Sequence, residues 1–111
     1  MSHELVVFVT TTDNEEAASI AEALVSERLA ACVNILGPVE SVYRWEGKIT
    51  RDREALMIIK TTDQRYPDLE LRVKALHSYT TPEVLAFRIE QGSADYLTWI
   101  RDSTAAEKTG R

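Results

Sequence analysis

Several things are scarce in this chain, and each scarcity excludes something. Cysteine occurs once in 111 residues, so no internal disulfide framework exists and a reducing cytoplasm is the expected compartment. Four glycines stand apart, at Gly37, Gly47, Gly92 and Gly110, so there is no glycine-rich phosphate loop. Two histidines, His3 and His77, leave no His-x-x-x-His pair, and with one cysteine no Cys-x-x-Cys, so a structural zinc site is not expected. No nucleophile–base pair is visible, and an enzyme is not expected. Basic residues are outnumbered, with a net charge of −5, which argues against nucleic acid as a partner. No apolar run approaches the roughly 20 residues of a membrane span, and no membrane partner is expected. The start, MSHELVVFVT, lacks the basic region and cleavage site of a signal peptide.

What is present is organised around residues 32–63. CVNILGPVESVYRWEG and KITRDREALMIIKTTD read as two strands joined by a tight turn at Glu46-Gly47. Each arm has about 15 residues, or roughly 50 Å of strand at about 3.3 Å per residue. A domain of this size has a radius of gyration of only about 13 Å. The arm must therefore project, bend at a bulge near Gly37-Pro38, or pair with another subunit; a shorter hairpin with a loop at Gly37-Pro38 is the alternative. A bare ribbon carrying Val42, Tyr43, Trp45 and Ile49 would aggregate, so an obligate homo-oligomer is expected.

The remaining elements follow from periodicity. Residues 5–12 make a first strand, continuously apolar through Leu5-Val6-Val7-Phe8-Val9. Asp13 or Asn14 caps a helix predicted over residues 15–30, with Ala17, Ile20, Ala21 and Leu24 as its stripe. After the hairpin, Asp63 can cap a second helix, with Pro67 in its first turn, Leu69, Val73 and Leu76 buried, and His77 at its end. A loop over residues 78–82 leads to a strand over residues 83–91. Ser93 then caps a short helix over residues 94–101, with Leu97 and Ile100 buried. The order is β-α-β-β-α-β-α: an α+β, ferredoxin-like βαββαβ sandwich with a long β2–β3 hairpin and a short C-terminal helix. Residues 1–103 form one domain and residues 104–111 a flexible tail. Both main helices fall on one face, which leaves the other face open over four strands and again favours association.

Among candidate functional residues, His77 reads either as the cap of the second helix or as a metal or anion ligand at a subunit boundary. Cys32 and Met57 read as small and core hydrophobes. Tyr43 and Trp45 read as interface aromatics, and Arg51-Asp52-Arg53-Glu54 as a solvated strand surface.

Five stretches together resemble the CutA divalent-cation tolerance family: ERLAACVN at 27–34, YRWEGKI at 43–49, IIKTT at 58–62, HSYTTPEVL at 77–85 and YLTWI at 96–100. The resemblance spans residues 5–103. It implies a homotrimer whose hairpins extend neighbouring sheets, similar in architecture to PII-like signalling trimers. It also implies a cytoplasmic protein responding to metal ions, with copper(II) or another divalent cation as the ion bound and no cofactor required for folding. Copper ligands proposed in enteric members are a cysteine ending strand one and two adjacent histidines ending helix two. Those positions read Thr10 and Leu76-His77 here, so His77 alone carries over as the metal candidate. A small-molecule ligand between subunits is the alternative, in a pocket or interface of Tyr43, Trp45, Lys60, Tyr79, Pro82 and Glu83.

Overall fold

The computed structural model describes residues 3–106. The elements are β1 (Glu4–Thr11), α1 (Asn14–Ser26), β2 (Cys32–Trp45), β3 (Lys48–Thr62), α2 (Tyr66–Leu76), β4 (Val84–Arg88) and α3 (Ala94–Thr104). The strands form a sheet in the order β2-β3-β1-β4, with every neighbouring pair antiparallel. This is the expected ferredoxin-like sandwich. Successive side chains alternate between faces, so the register fixes which residues meet the helices. Val7 lies opposite Ile59 and Ala86, and Val9 opposite Met57 and Val84. That face buries Leu5, Val7, Val9, Ala55, Met57 and Ile59 against Ala17, Ile20 and Leu24 of α1 and Leu69 and Val73 of α2.

The helix ends differ from expectation for local reasons. Asp13 caps α1 by accepting the Glu16 N–H at 2.8 Å. The helix stops at Ser26, four residues before 30, because Arg28 turns into the left-handed region at φ 61. Arg28 N–H then reaches Val25 O at 3.1 Å, and Leu29 N–H reaches Leu24 O at 2.9 Å. This is a Schellman closure without glycine. The turn sends Leu29 and Ala30 into the core, where they are 7% and 1% exposed. Burial of that pair outweighs a left-handed cost of about 1–2 kcal/mol.

Asp63 does not cap α2; Arg65 occupies that position without a side-chain bond. Asp63 instead gives its N–H to His3 O at 2.9 Å. Pro67 sits in the first turn, and His77 is the C-cap, both as expected. Leu76 is 37% exposed rather than buried, because only the line of Leu69 and Val73 meets the core.

The hairpin pairs from Cys32↔Lys60 to Trp45↔Lys48, with a single shift between Leu36 and Val39. Gly37-Pro38 is therefore a bulge within a continuous ladder, not a loop. Glu46 and Gly47 take φ 50 and 79, as a two-residue type I′ turn requires. The arm stretches the molecule to 54 × 32 × 21 Å. At its tip Val42, Trp45 and Ile49 are exposed.

The second sheet face is less open than expected. The α3 helix lies across one end of it, where Arg101 Nη1 donates to Glu4 Oε2 at 2.9 Å and Ile100 is buried. This helix runs three residues beyond 101, and Thr104 is buried with its hydroxyl on Ile100 O at 2.9 Å. Of the expected tail, residues 107–111 lie outside the described residues. The strand expected over 83–91 is β4, five residues long. The uncovered part of the face carries Phe8 against Phe87, with ring centroids 5.2 Å apart, and exposed Leu36 and Leu85. Among the described residues no helix is long and apolar enough to cross a membrane.

Candidate functional site

The α2–β4 loop crosses the end of β1, where its polar groups bond to β1, α1 and β3. Pairing of β4 to β1 reaches only Val84↔Val9. Beyond Val9, β1 has lost its neighbour on that side. There the imidazole of His77 takes over: Nε2 lies 2.7 Å from Thr10 O. A carbonyl only accepts, so Nε2 carries the proton. Nδ1 then accepts the Tyr79 N–H at 3.0 Å. The two rings stack at a tilt, with centroids 4.7 Å apart.

Glu16 ties the same loop to α1. Its Oε1 accepts the Thr12 N–H at 3.0 Å, and its Oε2 accepts the Ser78 N–H at 2.7 Å. Its Oε2 lies 3.8 Å from His77 Nδ1. Burial acts to raise the Glu16 pKa, but these backbone donors prevail and hold it below the ordinary carboxylate value.

Tyr79, fixed at its backbone by His77, places its hydroxyl 2.8 Å from Glu54 Oε2. Glu54 is 9% exposed, so this stretch of β3 is not the uniformly solvated surface its mixed charges imply. Burial, then the Glu54 carboxylate, pushes the Tyr79 hydroxyl up to about 12. Glu83 follows in the loop; loss of solvent and the negative Glu54 raise its pKa. Tyr43, on the adjoining β2, donates to Asp52, and that bond raises its pKa first, with the charge of Glu54 adding to it.

Of the residues expected in a pocket, Tyr79 thus bonds Glu54 directly, Tyr43 and Glu83 feel its charge, and Pro82 is half-buried beside Glu83. Trp45 is at the exposed hairpin tip. Lys60 is at the far end of the sheet, opposite Cys32 and donating to Asn34 Oδ1. The chain by itself does not bring either to Glu54. Sequence reasoning missed Glu54 and Glu16. Glu16 carries a signal in hindsight, since a glutamate three residues after an N-cap aspartate reaches back to the preceding backbone. Glu54 carries none, because its burial depends on a loop 25 positions away.

Among the described residues the donors do not fit a copper ion. Both ring nitrogens of His77 are engaged by backbone groups, and its side chain is 0% exposed. Cys32 lies at the other end of the sheet, beside Lys60. Among the described residues no group of three or more histidine, cysteine, aspartate or glutamate side chains is placed to hold a metal ion.

The profile of the CutA1 divalent ion tolerance protein family matches residues 5–103. The chain belongs to the CutA1 family. It is 50% identical over 101 residues to the divalent-cation tolerance protein CutA of Thermus thermophilus, covering 91% of this chain and 98% of that one. The solved structure of the Thermus thermophilus protein superimposes with a TM-score of 0.90, over 92% and 99% of the two chains. A structure of the Archaeoglobus fulgidus CutA, described as periplasmic, gives 0.89 at 41% identity, over 92% and 99% of the chains. Human CutA is 45% identical over 97 residues, 87% of this chain, which spans only 54% of that longer protein. CutA1 relatives thus keep this subunit fold at half the sequence or less in common.

Proposed function

We propose that this CutA1 chain serves divalent-cation tolerance as a non-catalytic, cytoplasmic homotrimer. In this reading copper(II) or another divalent cation is met by donors from more than one subunit. The observation that supports it most is the bare arm. Val42, Trp45 and Ile49 are 54%, 61% and 65% exposed on a projecting ladder, and Leu85 and Phe87 are about half exposed on the sheet face. A monomer rarely exposes apolar surface on this scale, whereas a neighbouring subunit would cover it. Native mass spectrometry with and without a few equivalents of Cu(II) tests both parts. A trimer that takes up a fixed number of ions supports the reading. A monomer overturns it.

A second reading is a PII-like sensor that binds a small molecule between subunits. It is favoured by Tyr79 bonding a buried carboxylate, Glu54, whose charge also reaches Tyr43 and Glu83. It expects a metabolite to raise the melting temperature with no metal present. A screen of metabolite classes in which nothing shifts the transition would count against it.

A further inference from the structure

We propose that His77 is a positioning residue, a neutral imidazole bolt that sets Tyr79 against Glu54, and not a metal ligand. The proposal stands on the geometry of the loop and does not depend on subunit number or on the cation-binding reading.

A metal takes the lone pair of a neutral ring nitrogen. In His77 that lone pair is on Nδ1, since Nε2–H is committed to Thr10 O at 2.7 Å. Nδ1 is itself aimed at the Tyr79 N–H, 3.0 Å away. The side chain is fully buried between the end of β1, the start of α1 and its own loop. Ligation would therefore require the ring to leave one backbone partner and the loop to open. What the present arrangement provides is position. The imidazole joins Thr10 to Tyr79, Glu16 joins Thr12 to Ser78, and the two together orient the Tyr79 hydroxyl on Glu54 at 2.8 Å. The ring has two nitrogens of opposite hydrogen-bond sense at a fixed separation, so one side chain serves a carbonyl and an amide at once.

The test uses the full chain labelled with nitrogen-15 histidine. With two histidines in the sequence, the spectrum is simple, and a His3→Ala sample assigns it. Expected is a single Nε2–H tautomer for His77, with Nδ1 showing the shift of a hydrogen-bond acceptor. One equivalent of Zn(II) should leave both His77 nitrogens unmoved. A Zn(II)-induced shift at His77, or a mixture of exchanging tautomers, overturns the proposal, and this readout needs no mutant to fold. Mutants then separate position from bulk. His77→Ala should bring the Tyr79 hydroxyl titration down from about 12 towards its ordinary value near 10 while leaving Zn(II) affinity unchanged. His77→Asn keeps an acceptor where Nδ1 stands and should hold the Tyr79 titration high. A folded His77→Ala protein with Zn(II) affinity reduced about tenfold or more, equivalent to about 1.4 kcal/mol, would assign the residue to the metal instead.

Discussion

Replacing Tyr79 by phenylalanine removes one oxygen and keeps the ring, so it isolates the bond to Glu54. That bond is 2.8 Å long, and its acceptor is a carboxylate only 9% exposed. Hydrogen bonds to charged groups contribute about 1.5–3 kcal/mol. Tyr79 is itself half-buried, so water can reach part of the vacated space and the loss should fall near the lower end, about 1.5 kcal/mol. Urea denaturation near neutral pH measures it, at one fixed protein concentration, since any association would contribute to apparent stability. Tyr43→Phe is the internal control. Its hydroxyl meets Asp52 on the exposed arm, and its removal should be indistinguishable from wild type. Combining Tyr79→Phe with Glu54→Gln closes a double-mutant cycle, whose coupling should be at least about 0.5 kcal/mol. A Tyr79→Phe protein as stable as wild type, with no coupling to Glu54, would refute the argument that the loop is built to satisfy this carboxylate.

Tyr66 and Tyr79 are both pushed to about 12, chiefly by burial. Their folded pKa values exceed the unfolded value of about 10, so the stability linked to them is intact below about pH 10 and is lost as pH rises towards 12. Absorbance of tyrosinate should show Tyr66 and Tyr79 titrating last among the four tyrosines, together with a fall in stability over the same window. Glu16 has the opposite sign. Its folded pKa is lowered, so its contribution is present above the ordinary carboxylate range and fades as pH falls through the folded value. The stability gap between wild type and Glu16→Gln should accordingly narrow on acidification in paired urea titrations. Met57→Ala removes a fully buried side chain from the centre of the sheet and should cost about 2–5 kcal/mol by the same assay. Trp45→Glu with Ile49→Glu charges the hairpin tip. Sedimentation should then show weakened association while far-ultraviolet circular dichroism keeps the subunit's secondary structure.

Much of the architecture was determined locally and is legible without coordinates. Continuous apolar runs made β1 and the end of β3, and strand-favouring residues made the arms. Glu46-Gly47 supplied the turn because a hairpin of right-handed strands needs positive φ there. The family could be read too, since five separated stretches in fixed order are specific even where each alone is weak. Other features depended on residues far apart in the chain, and no local pattern carries them. The α1 helix stopped at Ser26 because Leu29 and Ala30 had core volume to fill, which overrode the absence of glycine or proline. Leu76 sits at the right interval for a buried position, yet it is exposed because α2 touches the core along too narrow a line. Glu54 looks like one of four mixed charges on a strand. It is buried because a loop anchored by His77 and Glu16 crosses the end of β1 and lays Tyr79 on it. Sequence alone determined which segments are strand, helix and turn, because those choices are made over a few residues by sterics and burial. Tertiary structure decided which nitrogen of His77 is free to do what, because that depends on which backbone groups come within 3 Å of it.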